Sequence, residues 1–160
     1  MKCPKKIELF EELAAHYKEV YKLPPLAAKV YSFFLVETSS KEYSFDELVE
    51  KFQVSKSSMS STLHLLSQYD FVSQLNKLGD RKTYYKITPQ HLTIRLNRIK
   101  RNLEQEILLT DKLIQFHKKE SPNFNQLSVD KVKIYTQHLQ TSVKGLATTI
   151  EKIEKLNHTI

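Results

Sequence analysis

The sequence predicts a mainly α-helical fold that carries one small β-hairpin, and three observations predict it. The 160 residues include only two glycines and five prolines, so long helices can run with little interruption. Apolar residues recur at helical spacing along most of the chain. One stretch, from Phe71 to Ile87, changes to the period of strands. Because Gly79 and Gly145 lie far apart, a glycine-rich phosphate loop and a dinucleotide-binding fold are excluded.

Two helices are expected before residue 38. Residues 5–21 place apolar and charged side chains on opposite faces with the period of a helix, and Leu23-Pro24-Pro25 ends it. Pro25 can serve as the first residue of the second helix, which is apolar enough to be buried on most sides. We assign residues 1–22 to an N-terminal helix that serves packing or dimerisation.

Two short helices and a hairpin are expected next. Ser44 and Glu47 have the spacing of a capping box at the start of the first helix. Ser55 caps the second helix, whose buried stripe is expected to contain Met59, Leu63 and Leu66. Strands are expected at residues 71–76 and 82–87, with Gly79 at the tip of the hairpin. This order of elements, over residues 23–89, is the winged helix-turn-helix plan, in which the hairpin is the wing.

Residues 90–160 are expected to form two long helices. Thr88-Pro89 is typical of a cap followed by a first-turn proline, and Ser121-Pro122-Asn123 should end the first helix. Ser128 should cap the second helix, whose apolar seam runs from Val132 to Ile153. The seam of the first helix consists of Leu92, Leu96, Ile99, Leu103, Ile107, Thr110 and Ile114. A winged helix of about 65 residues cannot bury both seams, so we expect them to pair with each other or across a two-fold axis and assign this region to dimerisation.

The net charge of +7 indicates an acidic partner, and nucleic acid is the first candidate. Residues 91–119 carry seven Lys and Arg against three Asp and Glu, while residues 54–88 carry five against two. Within the first of these segments Arg95, Arg98, Lys100 and Arg101 form a basic run. It could contact a DNA backbone, but such a run is more often a solvated face.

The second short helix is the candidate DNA-reading element, because this helix enters the major groove in the winged helix-turn-helix plan. With its apolar stripe turned inward, its outer face offers hydroxyl groups that suit phosphates and base edges. Lys56 opposes the helix dipole in the first turn, which favours a phosphate contact over helix stability. The candidate residues on and beside this helix are Ser55, Lys56, Ser57, Ser58, Ser60, Ser61 and Thr62. The alternative is a serine-rich solvent face, which is unusual for weak helix formers.

The wing supplies the second candidate contact. Lys77, Arg81 and Lys82 flank Gly79, so a mobile cationic finger is expected to reach a minor groove or phosphates. Asp80 either orients the guanidinium of Arg81 or helps to form the turn, and both interpretations stay open. Tyr84 and Tyr85 alternate faces, so one of them is expected to pack inward.

Residues 44–88 resemble the winged helix of the MarR superfamily of bacterial repressors, and residues 77–85 are most similar to its GbsR-like branch. The resemblance covers residues 5–90 and extends to the C-terminal helices in outline. It implies a DNA-binding homodimer, with Ser57, Ser58, Ser61 and Thr62 on the reading helix and Asp80 and Arg81 as the wing pair. The chain departs from the family at Asp70, where glycine is usual, and in lacking an arginine on the reading helix.

The same resemblance implies a small-molecule effector pocket between the winged helix and the dimer helices. The candidate lining residues are Tyr17, Tyr21, Tyr31 and Phe34, although aromatic residues at this spacing are more often plain core.

Other functional classes find little support in the sequence. No apolar run is long enough to span a membrane, and Cys3 is the single cysteine, so a cytoplasmic protein without disulfides is expected. The six histidines form no close pair for a metal, and no nucleophile-elbow serine is present, so we expect neither an enzyme nor a cofactor.

The sequence therefore predicts a sequence-specific transcriptional regulator, with repression favoured, that binds a pseudo-palindromic duplex as a homodimer. The alternative hypothesis is a winged-helix protein-interaction module that assembles through its long helices without reading DNA.

Overall fold

The computed structural model describes residues 3–37, 41–120 and 126–157, with side chains of α6 described from 128 to 156. These residues form six helices and three strands, which confirms the predicted mainly α-helical fold with a small hairpin wing. In chain order they are α1 (Pro4–Val20), α2 (Pro25–Val36), β1 (Tyr43–Ser44), α3 (Phe45–Phe52), α4 (Lys56–Gln68), β2 (Val72–Asn76), β3 (Thr83–Ile87), α5 (His91–Glu120) and α6 (Gln126–Asn157). The chain divides into two compact units, the first ending at His91 and the second beginning at Leu92.

The helix starts in the first unit follow the local signals of the sequence. Pro25 occupies the first position of α2, where its missing amide hydrogen costs nothing. Ser44 and Glu47 form the predicted capping box of α3, in which the Glu47 amide donates to Ser44 Oγ and the Ser44 amide donates to Glu47 Oε2. Ser55 Oγ accepts from the Ser58 amide at 3.1 Å and caps α4.

Both short helices end in the same left-handed geometry. At the end of α4 the Asp70 amide donates to the Ser67 carbonyl and the Phe71 amide donates to the Leu66 carbonyl, each at 2.9 Å. This pair of bonds is the Schellman motif, which requires a positive φ at its penultimate residue. Asp70 has φ +55°, and Gln53 at the end of α3 has φ +50°. The glycine usual in the resembled family at position 70 would adopt this conformation freely, and aspartate adopts it at modest cost.

The sheet has three antiparallel strands in the order β1-β3-β2, so β3 is central. The hairpin strands lie within one residue of their predicted bounds, and Val72 pairs with Ile87 while Asn76 pairs with Thr83. Strand β1 was missing from the sequence prediction. Its two residues pair with β3, Tyr43 opposite Tyr85 and Ser44 opposite Tyr84.

The core of the first unit lies where α1, α2, α3, α4 and the sheet meet. Met59, Leu63 and Leu66 are buried there, as the stripe of α4 predicts. Tyr31 stacks on Phe71 with ring centroids 4.5 Å apart. Each of these large apolar side chains contributes about 1.5–3 kcal/mol through burial, and the buried stripe sets which face of α4 points away from the core.

The second unit consists of α5 and α6. The prediction that α5 begins at Thr88-Pro89 was wrong, because Thr88 closes a turn in which its carbonyl accepts from the His91 amide, and the helix begins at His91. The expected end at residues 121–123 lies outside the described residues. Helix α6 begins at Gln126, two residues before the predicted Ser128 cap. Its predicted seam is buried at Leu139 and Ile150. Thr136 is also buried and lies between Val132 and Leu139, where the apolar pattern skips one helical turn.

Candidate nucleic-acid interface

Helix α4 presents a polar outer face whose orientation is set by its buried stripe. Lys56, Ser57, Ser58, Ser60 and Ser61 are exposed, as the sequence predicts for a reading helix. The Ser55 and Ser58 hydroxyls are hydrogen-bonded to each other at 2.9 Å. The remaining exposed hydroxyls therefore stand on a helix that is capped at its start and packed along its inner side.

Thr62 was assigned wrongly to the outer face. Its side chain is 8% exposed, because residues 59, 62, 63 and 66 follow the i, i+3, i+4, i+7 spacing of a single inward stripe. A buried threonine at this position contributes to packing and is not available to a base edge.

Two residues of the outer face were missed by the sequence reasoning. His64 and Gln68 are exposed, and their side chains are hydrogen-bonded at 3.1 Å between the two Nε2 atoms. They continue the line of Ser57 and Ser61, since residues 57, 61, 64 and 68 share one helix face. That spacing is readable from the sequence, and the amide and imidazole give this face its longest polar side chains.

Lys56 is paired across the helix-turn-helix. Its ammonium lies 3.2 Å from Asp46 Oδ1 on the first turn of α3, and both side chains are largely exposed. A pair of this kind is worth about 0–1 kcal/mol and is screened by salt. Lys56 can therefore leave Asp46 and bind a phosphate at little cost in free energy. In the absence of a phosphate, Asp46 holds the ammonium near the start of α4.

The wing tip is an ordered turn. The Asp80 amide donates to the Lys77 carbonyl at 3.1 Å, and Gly79 has φ +82° at the third position, which is the pattern of a type II turn. The Asp80 carboxylate accepts from the Lys82 amide at 2.9 Å and from the Tyr84 hydroxyl at 2.7 Å. The contacts of Asp80 are thus those of a turn-former, and within the described chain it makes no ion pair with Arg81.

These hydrogen bonds have matching effects on titration. The Lys82 amide and then the Tyr84 hydroxyl lower the pKa of Asp80, so the carboxylate stays charged at neutral pH. The bond to Asp80 raises the pKa of Tyr84, which keeps its hydroxyl protonated as a donor. Tyr84 lies outward on the wing, whereas Tyr85 packs against the core and has its pKa raised by burial. The predicted alternation of the two tyrosines is confirmed.

The Lys77 end of the hairpin is held by Glu42, a residue that the sequence reasoning did not single out. Lys77 Nζ lies 2.9 Å from Glu42 Oε2 and 4.2 Å from the centroid of the Tyr84 ring. Lys86 Nζ approaches the other oxygen of Glu42 at 3.7 Å. The hydrogen bond with Lys77 lowers the pKa of Glu42 and raises the pKa of Lys77. The expected mobile finger is therefore tethered on both sides of its tip.

The free positive charge of the wing belongs to Arg81 and Lys82. Both side chains are exposed, and no carboxylate among the described residues forms an ion pair with either. They line a polar cleft of about 270 Å³ between the wing and the start of α3, together with Ser44, Phe45, Asp46, Thr83 and Tyr85. The unpaired cations and the outer face of α4 are parts of the same compact unit.

The aromatic residues considered for an effector pocket form part of the core. Tyr17, Tyr31 and Phe34 are buried, and Tyr21 is partly buried against them. The Tyr17 and Tyr31 rings pack edge to face with centroids 4.7 Å apart. Packing therefore supports the plain-core interpretation of this cluster. A separate groove of about 770 Å³ opens between α1, α2 and the end of α3.

The basic run on α5 belongs to the second unit. Lys100 Nζ lies 3.0 Å from Glu104 Oε1, four residues along the helix. Arg95 and Arg98 also have interaction partners, and Arg101 is exposed. The pairing of Lys100 is typical of a solvated helix face.

The described part of the chain holds no cluster of three or more His, Cys, Asp or Glu side chains arranged to bind a metal ion. Within residues 3–37, 41–120 and 126–157, every helix is either too short or too polar to cross a lipid bilayer.

A helix-turn-helix followed by a hairpin, with a third strand completing the sheet, defines a winged-helix protein. A solved structure described as a transcriptional regulator has this fold: it matches 95% of this chain and 99% of its own, with a TM-score of 0.67 and 20% identity. Similarity at this identity establishes the fold.

Two other regulators show weaker similarity. The adhesin competence repressor AdcR from Streptococcus pyogenes is 15% identical over 87% of this chain and 98% of its own, with a TM-score of 0.39. The regulator BldR from Sulfolobus solfataricus is 21% identical over 86% and 99%, with a TM-score of 0.40. Both superpose too loosely to add to the conclusion about the fold. No protein-family model and no curated protein matches the sequence.

Proposed function

We propose that this chain is a transcriptional regulator that binds double-stranded DNA as a homodimer, with α4 in the major groove and the wing on the minor groove or phosphates. The observation that carries the proposal is the joint presence, on one unit, of an exposed hydroxyl face on α4 and two unpaired cations on the wing. Hydroxyl, amide and imidazole groups can read base edges, while Arg81 and Lys82 supply the charge that phosphates attract. The similarity in fold to a transcriptional regulator supports the same function.

The finer features follow from the resemblance of the wing to the GbsR-like branch of the MarR superfamily. That resemblance favours a repressor, since a dimer bound over a promoter blocks access to it. A two-fold dimer places two α4 helices on successive major grooves, about 34 Å apart, and so calls for a pseudo-palindromic operator. Since the resembled family consists of bacterial regulators, we expect the protein to act in the cytoplasm. An effector would need a site other than the buried aromatic cluster.

The proposal is tested by fluorescence anisotropy with duplex DNA taken from upstream of the protein's own coding sequence. Because phosphate contacts release counterions, the affinity should fall steeply between about 50 and about 200 mM salt. Arg81→Ala should weaken binding several-fold and reduce the slope of log affinity against log salt by about one. The matched control is Lys18→Ala, which removes the same charge from α1 and should leave binding unchanged.

If the protein binds neither this fragment nor any duplex in a random library in a salt-dependent way, it does not act on DNA. The alternative of a winged-helix protein-interaction module would then take its place.

A further inference from the structure

Leu78, at the tip of the wing, has the most exposed large apolar side chain among the described residues. Its relative exposure is 107%, so the side chain touches almost nothing in its own chain. Isolated exposed leucines are ordinary on protein surfaces. Leu78 differs from those because of where the backbone holds it and what surrounds it.

The turn holds Leu78 at the outermost point of the hairpin. It occupies the second position of the type II turn closed by the bond between the Asp80 amide and the Lys77 carbonyl. On one side of the turn Lys77 is tethered to Glu42, and on the other Asp80 binds the Lys82 amide and Tyr84. An exposed leucine on an ordered turn loses little conformational entropy when it enters a partner.

The residues around Leu78 indicate that the partner of the wing tip is a polyanion with an apolar interior. The cationic side chains of Arg81 and Lys82 lie nearby, are exposed and form no ion pair within the described chain, so the tip can approach negative charge. The turn itself does not require leucine, since its second position accepts most residues and favours proline. A minor groove combines phosphate walls with a floor of base and sugar edges, against which apolar side chains pack as wedges.

We propose that Leu78 inserts into the minor groove as an apolar wedge that packs against a base step beneath the wing. The wedge gives the wing a sequence preference that its cations alone lack. Pyrimidine–purine steps such as TA and CA unstack more easily than others, so such steps should be preferred beneath the wing. This inference rests on the proposed DNA-binding function.

The test uses duplexes of about 30 base pairs that the protein selects from a random library. The selection is made at one fixed ionic strength, because affinity for DNA depends on salt. 2-Aminopurine is placed at successive positions in the flanks, where its fluorescence rises when a neighbouring base unstacks. We expect wild-type protein to raise the fluorescence at one step in each half-site. Leu78→Ala should abolish that rise and weaken binding about tenfold, because the variant buries less apolar surface against the DNA.

Two variants distinguish a wedge from a general loss of affinity. Leu78→Met keeps an apolar side chain of similar size and should retain the fluorescence rise. Arg81→Ala should weaken binding with a smaller salt slope, yet at saturating protein concentration the fluorescence rise should persist. Selection should enrich pyrimidine–purine steps with the wild type and lose that enrichment with Leu78→Ala. Since Leu78 is fully exposed, an unchanged melting temperature confirms that the variant is folded.

The outcomes separate the two proposals. If Leu78→Ala binds the selected duplexes with wild-type affinity and wild-type fluorescence, the wedge is refuted and the DNA-binding function stands. If the wild type selects no duplex at all, both proposals are overturned together.

Discussion

At the scale of single residues, Asp80 is a carboxylate within a surface for which we propose DNA binding. Its oxygens accept from the Lys82 amide and the Tyr84 hydroxyl, so it stabilises the backbone that carries Arg81. The negative charge itself opposes DNA, while the acceptor geometry supports the wing. Loss of the charge should therefore raise the affinity for DNA, whereas loss of the hydrogen bonds should lower it.

Two substitutions separate these effects. Asp80→Asn removes the charge and keeps an acceptor for the Lys82 amide, so DNA affinity should be equal to or above that of the wild type. Asp80→Ala removes both, and the disorder of the tip should lower affinity several-fold in spite of the lost negative charge. Hydrogen exchange of the Lys82 amide, followed by NMR, should show protection in the wild type and in Asp80→Asn only. Equal protection in all three proteins would contradict the turn-forming role.

The same carboxylate gives the wing a defined dependence on pH. A pKa below the ordinary value of 3.8 means that the folded state favours the charged form, so the contribution of Asp80 is present above that value. It is lost as the pH falls through the lowered pKa. Protection of the Lys82 amide, corrected for intrinsic exchange, should therefore be constant across neutral pH and decline only in acid below about 3.8. A decline near pH 6 would assign the effect to another group.

At the scale of elements, β1 links the helix-turn-helix to the wing. Ser44 belongs both to β1, opposite Tyr84, and to the capping box of α3. Hydrogen bonds from the Ser44 hydroxyl and amide lower the pKa of Glu47, so the box stays intact at neutral pH. The start of α3 is therefore tied to the central strand, and the wing keeps a fixed position relative to the helix-turn-helix.

The end of α4 offers a test of the Schellman geometry. Asp70→Gly should stabilise the fold by about 0.5 kcal/mol, since glycine adopts the required positive φ without strain, although its greater freedom in the unfolded chain offsets part of the gain. Asp70→Ala should destabilise by a similar amount. Urea denaturation of the three proteins measures both changes. Equal stability of the glycine and alanine variants would show that the left-handed conformation is not maintained in solution.

At the scale of the whole molecule, α5 leaves a long apolar surface uncovered in the single chain. Leu92 and Ile99 of its predicted seam are exposed, and the rest of that seam is half-buried. Leu109, Leu113 and Phe116 form a further exposed line at spacings of four and three. A contiguous apolar surface of this extent is typical of an interface, and the proposed homodimer would cover it with a second copy.

This surface supplies the prediction for oligomeric state. Leu113→Glu places a charge within the exposed line and should convert the proposed dimer to a monomer, because burying an unpaired carboxylate is strongly unfavourable. Gln115→Glu adds the same charge on the opposite side of α5 and should remain dimeric. Light scattering coupled to size exclusion measures both masses. A wild-type monomer at micromolar concentration would rule out the dimer.

The features that the sequence by itself determined are those whose causes lie within a few residues. The caps at Ser44 and Ser55, the helix start at Pro25 and the turn at Gly79 each satisfy backbone groups or dihedral angles locally. The inward stripe of α4 follows from helical periodicity in the same way, and the spacing of residues 57, 61, 64 and 68 could have extended the outer face to Gln68.

Tertiary structure decided the features that depend on residues distant in sequence, namely strand β1 and the ion pairs of the wing. Strand β1 has only two residues, too few for a periodic pattern, and it exists because β3 offers it hydrogen bonds. Lys77 is tethered because folding brings Glu42 to it across 35 positions of sequence. The net charge of +7 belongs to the sequence, but which cations form ion pairs, and that Arg81 and Lys82 form none within the described chain, depends on distances between side chains that only the fold determines.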